Sequence, residues 1–184
     1  SYFVEENDRA AMMSEEEIRA FMEIEDRYSM FWKIFAYHPI RPGGIASLTV
    51  DDVDFGLEAF LVKDKTFKRE VPINLVLLEE LKTYISRLKT YNLFPAREGN
   101  RVINRTNWNQ SFNARIQKLD IKRKYLRPYS LRNSCLTRLA DAGVNPFLLI
   151  DMAVQKNLNT TLHYYHGSLK SKKEAIRKDT LGLL

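Results

Sequence analysis

One short segment of strand-like residues interrupts a sequence whose apolar positions otherwise recur at helical spacing. Apolar residues between positions 54 and 73 stand on both sides of a charged stretch, residues 63–69. Short apolar runs on either side of a charged turn predict two or three strands that pair with one another. The sequence therefore predicts a mainly α fold with a small antiparallel β-sheet, of the α+β class. The apolar residues of this segment are Phe55, Leu57, Phe60, Val62, Val71 and Ile73.

Capping residues and apolar spacing predict the helices. Ser14 and Glu17 match the capping-box pattern, in which the serine hydroxyl accepts the amide of Glu17 and the glutamate reaches back, so a helix is predicted to begin there. Gly143 is predicted to end a helix in the left-handed conformation. The other predicted helices cover 29–37, 75–88, Thr106 or Asn107 through Leu119, 129–142, and Pro146 onward, with 92–104 as a loop.

Two prolines interrupt the chain after the helix predicted at 29–37. Pro39 and Pro42 are predicted to stop this helix, because proline lacks an amide hydrogen and clashes with the preceding turn. Arg41 lies between them, at a predicted break between helices. Gly43 and Gly44 are expected to let the backbone turn freely there.

Charge and cysteine content narrow the class of partner. The 184-residue chain has a net charge of +6, with basic residues concentrated at 63–69, 115–138 and 170–178. Such clusters are typical of contact with a nucleic-acid backbone, although a solvated surface is the better interpretation of the last cluster alone. The single cysteine, Cys135, excludes an internal disulfide and favours a reducing compartment. Since no apolar run reaches the roughly 20 residues of a membrane span, we expect no membrane partner.

Two motifs, in order along the chain, resemble those of the tyrosine recombinase or phage-type integrase family. Arg41 is followed by Leu48 and Asp52, as in the first arginine box of the family. Arg132 is followed 32 residues later by Tyr164, just past a Thr-Thr pair. The mainly helical order with one small sheet also resembles the catalytic domain of this family.

The resemblance implies an enzyme that breaks and rejoins double-stranded DNA without metal or ATP. In this family a tyrosine hydroxyl attacks a backbone phosphate, which gives a 3′-phosphotyrosyl bond and a free 5′-hydroxyl. A second 5′-hydroxyl then attacks that bond and joins a different strand. The implied partners are double-stranded DNA and three further copies of the chain, as a homo-tetramer on paired sites. The expected location is the cytoplasm, in association with the nucleoid, and no cofactor is implied.

The chemistry explains which residue types the site needs. Arg41 and Arg132 are assigned to the phosphate, because a planar guanidinium can bridge two phosphate oxygens. Tyr164 is assigned as the nucleophile. Lys65, on the basic turn of the sheet, is assigned as the acid that protonates the leaving 5′-oxygen, with Lys63 and Lys68 as alternatives.

Three positions depart from the family pattern. Tyr129 stands where a histidine normally assists proton transfer, and it can donate a hydrogen bond but is a poor base. Gln155 stands where a histidine or tryptophan is usual, and its amide can still donate to phosphate. Gly44 replaces an acidic residue that normally orients the first arginine. These departures predict a divergent or slow enzyme, or one that has lost cleavage.

Several conspicuous residues have plainer structural interpretations. His163 and His166 flank the tyrosine at a spacing that could share a metal, but no third ligand is evident, so a metal site is rejected. His38 is predicted to be a local cap, and Cys135 to be packed in the interior. Trp108 and Phe112 are predicted to belong to the core rather than to stack on bases.

The expected organisation is a catalytic domain with two flanking segments. Residues 1–13 are interpreted as the remnant of a linker to an N-terminal DNA-binding domain, 14–166 as the catalytic domain, and 167–184 as a tail helix that could exchange between protomers. Two alternative functions stay open. One is a type IB topoisomerase-like enzyme that relaxes DNA, and the other is a catalytically weakened DNA-binding relative.

Overall fold

A computed structural model describes residues 12–63, 68–96, 101–122 and 125–154. Within these ranges the chain forms α-helices around one small sheet, with single 3-10 turns at Val50–Asp52 and Leu75–Leu77. The predicted mainly α fold with a small antiparallel sheet is confirmed. In chain order the elements are α1 (Glu15–Glu23), α2 (Ser29–Tyr37), α3 (Pro42–Ala46), β1 (Val53–Asp54), β2 (Ala59–Lys63), β3 (Lys68–Pro72), α4 (Leu78–Ser86), α5 (Arg105–Lys118), α6 (Pro128–Asp141) and α7 (Pro146–Met152).

The first helix begins at the predicted capping box. The hydroxyl of Ser14 accepts the amide of Glu17 at 3.2 Å, and the Glu17 carboxylate accepts the amide of Ser14 at 2.8 Å. These two bonds satisfy amides that a helix start otherwise leaves without partners. Ile18 and Phe21 then face the interior and form the apolar side of α1.

Aromatic side chains from three helices form the centre of the core. Phe21 of α1 and Phe31 of α2 each meet the indole of Trp32 edge to face, with ring centroids 5.3 Å and 5.0 Å apart. Phe112 of α5 completes the cluster, and all four rings are fully buried. The indole nitrogen of Trp32 donates to the hydroxyl of Ser111 at 2.9 Å, which satisfies the one polar atom that burial of this ring brings inside.

The sheet has the strand order β1-β2-β3, and both pairings are antiparallel. Val53 pairs with Phe60, and Lys63 pairs directly with Lys68, where β2 ends and β3 begins. Pro72 ends β3, an edge strand, and such a position tolerates proline because its missing amide need not pair with a neighbouring strand. Leu57 was expected within a strand, but it lies in the β1–β2 turn and is 60% exposed.

The expectation for Gly43 and Gly44 was wrong, because both residues lie inside helix α3 rather than in a free turn. Pro42 begins this helix at the first position, where its missing amide costs nothing. A β-carbon at position 44 would lie 3.0 Å from Cγ2 of Ile40 and 3.6 Å from Cγ1 of Val62. The absence of a β-carbon at 44 therefore lets α3 pack closely against Ile40 and β2.

Other boundaries differ from the prediction by a few residues. The helix expected from Thr106 or Asn107 begins at Arg105, since Asn104 is the cap and accepts the amide of Asn107 at 3.1 Å. Helix α6 begins at Pro128, and Gly143 follows its end with φ of +82°, as predicted. Within α7, Leu149 is buried, whereas its neighbour Leu148 is 55% exposed. No helix within the described ranges is long and apolar enough to cross a membrane.

Candidate functional site

Three of the six predicted site residues lie in the described part of the chain. Arg41, Tyr129 and Arg132 are described, whereas Lys65, Gln155 and Tyr164 lie outside the described residues. The described part of the site thus consists of the two arginines, Tyr129 and the elements that carry them.

Arg41 stands at the N-cap of α3 with an exposed side chain. Its backbone is extended, with φ of −68° and ψ of 148°, and its carbonyl accepts the amide of Ile45 at 3.1 Å. The guanidinium makes no hydrogen bond or ion pair with any residue of the described ranges. A cation at the start of a helix, where the amides also attract negative charge, is well placed to bind an anion such as phosphate.

Arg132 is buried, with 2% of its surface exposed, one turn into α6. Its Nη1 donates to the carbonyl of Pro39, and its Nη2 donates to the carbonyl of Ala153 at 3.1 Å. The first bond connects α6 to the segment that presents Arg41. The second connects it to the residue that follows α7, two positions before Gln155. Arg132 therefore joins three parts of the predicted site that are far apart in sequence.

Tyr129 lies in the first turn of α6, three residues before Arg132, so both start from one face of the helix. Its side chain is 51% exposed, in contrast to that of Arg132. Helix α6 begins cleanly at this point because Pro128 occupies its first position and the backbone amide of Arg127 donates to the Ser130 hydroxyl at 3.0 Å.

The N-terminal ends of α3, α5 and α6 border one cleft of about 560 Å³. Two exposed guanidinium groups, Arg105 and Arg127, and the phenol of Tyr129 supply hydrogen-bond donors there. Positive charge combined with polar and aromatic residues is typical of a surface that binds a nucleic-acid backbone. The lining residues are Pro42, Gly43, Arg105, Trp108, Asn109, Asn113, Leu126, Arg127, Pro128 and Tyr129.

Arg105 and Arg127 were not singled out from the sequence. The available indications were weak: Arg105 opens a helix and Arg127 precedes a proline, which are common surface positions. Trp108 was predicted to be core, and its ring does stack on Phe31 with centroids 6.1 Å apart. It is only half-buried, however, and also lines the cleft, whereas Phe112 is fully buried as predicted.

His38 is the predicted local cap and is fully buried beside the Arg41 segment. Its backbone amide donates to the carbonyl of Ile34 at 3.0 Å, at the end of α2. The ring nitrogen Nδ1 donates to the same carbonyl at 2.8 Å, and Nε2 accepts the amide of Asn74 at 3.0 Å. Burial lowers the pKa of His38 to about 4. Hydrogen bonds to the backbone of Ile34 and Pro72 favour the protonated ring and oppose part of this shift. The neutral ring thus fixes the segment that precedes Arg41.

Cys135 lies one turn beyond Arg132 in α6 and is buried, as predicted. Burial raises the pKa of its thiol to about 11, an effect that the charges of Arg138 and Arg132 only partly oppose. Among the described residues no group of three or more acidic, histidine or cysteine side chains is placed to hold a metal ion.

Solved structures with the same fold include enzymes that recombine DNA. XerA recombinase is 19% identical, with a TM-score of 0.74, over 92% of this chain and 65% of its own. The Tn1549 transposon integrase in complex with circular intermediate DNA is 20% identical, with a TM-score of 0.75, over 91% of this chain and 64% of its own. The chain therefore spans about 65% of the length of the first of these proteins.

The catalytic domain of bacteriophage HP1 integrase matches over most of both chains. It is 17% identical, with a TM-score of 0.66, over 93% of this chain and 96% of its own. No curated protein sequence matches the chain. The family model described as "Phage integrase family" matches residues 7–171. Because that match covers most of the 184 residues, and the fold agrees with it, the chain belongs to the phage integrase family.

Proposed function

We propose that this protein is a site-specific DNA recombinase that cuts and rejoins strands through a 3′-phosphotyrosine at Tyr164, without metal or ATP. Membership of the phage integrase family supports this activity. The observation that carries it is that Arg132 binds the carbonyl of Pro39, two residues before Arg41, while Tyr129 lines a cleft of basic and polar groups together with Pro42 and Gly43.

The two arginines divide the work of holding the phosphate. Arg41 is exposed, and its guanidinium has no partner in the described part of the chain, so it can bind phosphate oxygens without first breaking an ion pair. Arg132 carries five N–H donors on a plane that the carbonyls of Pro39 and Ala153 orient. A fixed charge beside the phosphate stabilises the transition state more than a mobile charge does, because a fixed side chain does not have to reorient during the reaction.

The reaction consists of two transfers of one phosphoryl group. The phenol oxygen of Tyr164 attacks phosphorus as its proton leaves to an acceptor, and the bond from phosphorus to the 5′-oxygen breaks. Lys65 gives a proton to that oxygen, which leaves as a 5′-hydroxyl. In the second transfer a 5′-hydroxyl attacks the phosphotyrosine, the bond from phosphorus to the tyrosine oxygen breaks, and the proton path reverses. Positioning and electrostatics, rather than redox or metal chemistry, provide the rate enhancement in this scheme.

Tyr129 and Gln155 take the role of hydrogen-bond donors to the phosphate in this scheme. Tyr129 borders the cleft and is half exposed, which suits contact with a phosphate oxygen. A phenol that keeps its proton can donate a hydrogen bond, but it lacks the basic lone pair of a neutral imidazole. The proton of the nucleophile therefore leaves less readily than it would to a histidine, and we expect a slow enzyme.

The proposed partner is double-stranded DNA. The exposed Arg105 and Arg127 in the cleft support contact with the phosphate backbone. Solved structures of the same fold include XerH site-specific recombinase bound to its difH substrate. We also propose residues 14–166 as the catalytic domain, 1–13 as part of a linker and 167–184 as a tail that joins protomers in a homo-tetramer, acting in the cytoplasm at the nucleoid.

A catalytically weakened DNA-binding relative is the second candidate, and one observation favours it. Position 44 holds glycine, where a β-carbon would lie 3.0 Å from Cγ2 of Ile40, so the chain has no acidic side chain there of the kind that orients the first arginine in the family. Arg41 consequently lacks that support, and DNA could be bound without efficient cleavage.

A covalent trapping assay separates these functions. The chain is mixed with nicked duplexes carrying candidate sites, in which cleavage releases a short strand and prevents rejoining. A protein–DNA band that survives SDS, and that Tyr164→Phe but not Tyr165→Phe abolishes, is the expected result. Loss only with Tyr165→Phe would move the nucleophile by one residue. Absence of a band on a duplex that the protein binds would contradict the recombinase and favour the DNA-binding relative. Relaxation of supercoiled DNA without strand exchange would instead indicate a topoisomerase-like enzyme.

A further inference from the structure

The stretch between α2 and α3 carries Arg41 on an irregular backbone. Residues 38–41 belong to no helix or strand, so the ladder of a regular element does not fix them. The last carbonyls of a helix also lack partners within that helix. One of them, the buried carbonyl of Ala36 in α2, accepts from Nη2 of Arg138 at 2.6 Å. A guanidinium from the last turn of α6 therefore holds the point at which this stretch begins.

Arg132 holds the same stretch at a second point. Its guanidinium binds the carbonyl of Pro39, and it stands six residues before Arg138, about 9 Å away along the axis of α6. A single contact would leave the stretch free to pivot, whereas two contacts with one rigid helix also fix its direction. Arg41, two residues beyond Pro39, consequently leaves the stretch at a defined place.

The surroundings of Arg138 indicate a role other than stability. Its Nη1 is buried and has no acceptor within the described ranges. Burying an N–H group without an acceptor costs free energy, and an apolar side chain of similar size would avoid that cost. Arg138 is thus better explained by the carbonyl that it holds than by a contribution to stability.

We propose that Arg138 is a positioning residue for the recombination reaction, which holds the end of α2 so that the exposed guanidinium of Arg41 meets the phosphate. This inference rests on the proposed function. Arg138 acts through Arg41 and does not itself contact the phosphate, because its guanidinium is directed to the buried carbonyl of Ala36. Without Arg138 that carbonyl loses its donor, and the stretch is held by α6 only at Pro39.

Two duplexes that differ at the cleaved phosphate isolate this role. In the first, the phosphate is natural, and the arginines have to stabilise its negative charge as phosphorus is attacked. In the second, a methyl group replaces one non-bridging oxygen, so the group is neutral. The bond from phosphorus to the 5′-oxygen breaks in both. A misplaced arginine therefore matters less on the methyl duplex, whereas a general loss of structure lowers cleavage of both duplexes equally.

The two variants at position 138 should show this difference. Arg138→Met removes the guanidinium, and it should cleave the natural duplex about tenfold more slowly than wild type, an effect typical of losing a residue that orients a site group. On the methyl duplex it should stay within about twofold of wild type, since the charge is absent. Arg138→Lys keeps one donor but not the planar fork, so it should lose about threefold on the natural duplex alone, and it carries the test if Arg138→Met does not fold.

A double-mutant cycle tests whether Arg138 acts through Arg41. Arg41→Ala should lose about 100-fold or more on the natural duplex. Adding Arg138→Met should cause no further loss, because no guanidinium is then left to position. Independent effects would instead multiply to a loss of about 1,000-fold.

Ser134→Ala is the matched control, from the same helix between the two arginines. The Ser134 hydroxyl accepts the amide of Met13 at 3.0 Å and donates to its carbonyl at 3.1 Å. The variant therefore breaks two buried hydrogen bonds to the start of α1 and none to the stretch that carries Arg41. Any loss of cleavage should be equal on the two duplexes.

Three outcomes would overturn the inference alone: wild-type cleavage of the natural duplex by Arg138→Met, an equal loss on both duplexes, or a further tenfold loss in the Arg41→Ala background. Failure of the wild-type chain to cleave the natural duplex, on a site that it binds, would overturn the proposed function and the inference together.

Discussion

Lowering the pH should destabilise this protein through His38, the buried ring beneath the Arg41 segment. Both ring nitrogens are occupied in the neutral form, because Nδ1 donates to the carbonyl of Ile34 and Nε2 accepts the amide of Asn74. Protonation places a hydrogen on Nε2, where it opposes the amide hydrogen of Asn74. A charge would also be added to a site that is 2% exposed and packed edge to face against Phe60, with centroids 5.2 Å apart.

The size of the effect follows from the pKa difference between the folded and unfolded chain. Burial lowers the folded pKa to about 4 from an ordinary value of 6.5. The unfolded chain therefore binds more protons between these values, and the free energy of unfolding falls as the pH falls. The free energy of unfolding that is lost through His38 is negligible above about pH 7.5. It is about 2 kcal/mol at pH 5 and about 3 kcal/mol at pH 4, where the loss begins to level off.

Urea unfolding at a series of pH values measures this loss, with His38→Gln as the matched control. A glutamine amide can donate to Ile34 and accept from Asn74, but it does not titrate. The variant should be less stable than wild type at pH 7.5, and its unfolding free energy should fall by about 2 kcal/mol less than that of wild type between pH 7.5 and 5. Parallel pH profiles for the two proteins would refute the argument, because other titrating groups are shared by both.

Three further variants or treatments test the packing around the site. Arg115→Met should cost about 2 kcal/mol in urea unfolding, less than a fully buried pair, because its partner Asp26 is 35% exposed; a loss below about 0.5 kcal/mol would contradict this. Gly44→Ala should cost about 1–2 kcal/mol by overpacking against Cγ2 of Ile40, and it should cost less in an Ile40→Ala background, which removes that methyl group, if contact is the cause. Cys135 should resist alkylation in the native protein near pH 8 and react only in denaturant, and rapid native labelling would show that the thiol is not buried.

Local signals were sufficient where a structure depends on neighbouring residues. The capping box at Ser14, helix α2 and the left-handed end at Gly143 were all predicted, since each is decided within a few positions of the chain. Gly44 was misinterpreted for the opposite reason. Glycine in isolation favours a flexible turn, but here it lies in a short helix that packs closely against Ile40 and Val62, and the contact with Val62 depends on the tertiary fold.

The candidate site, too, could be predicted from local sequence patterns only in part. The family motifs identified Arg41 and Arg132, but no local pattern indicates that Arg132 would bind the carbonyl of Pro39, 93 residues away. Among the lysines at 63, 65 and 68 the sequence favoured Lys65 and left the other two open. The strand register that sets Lys63 opposite Lys68, with Asp52 paired to both, could not be predicted, because it depends on contacts between residues that are distant in the chain.

The central claim, that Tyr164 carries the phosphoryl group, is tested most directly by locating the covalent bond. After trapping, nuclease and trypsin would leave a short nucleotide on the peptide spanning residues 157–170, which contains both Tyr164 and Tyr165. Fragmentation between the two tyrosines in a mass spectrometer assigns the added mass to one of them. The account predicts a nucleotide on Tyr164 alone. A nucleotide on Tyr165, or no modified peptide from a duplex that the protein binds, would contradict it.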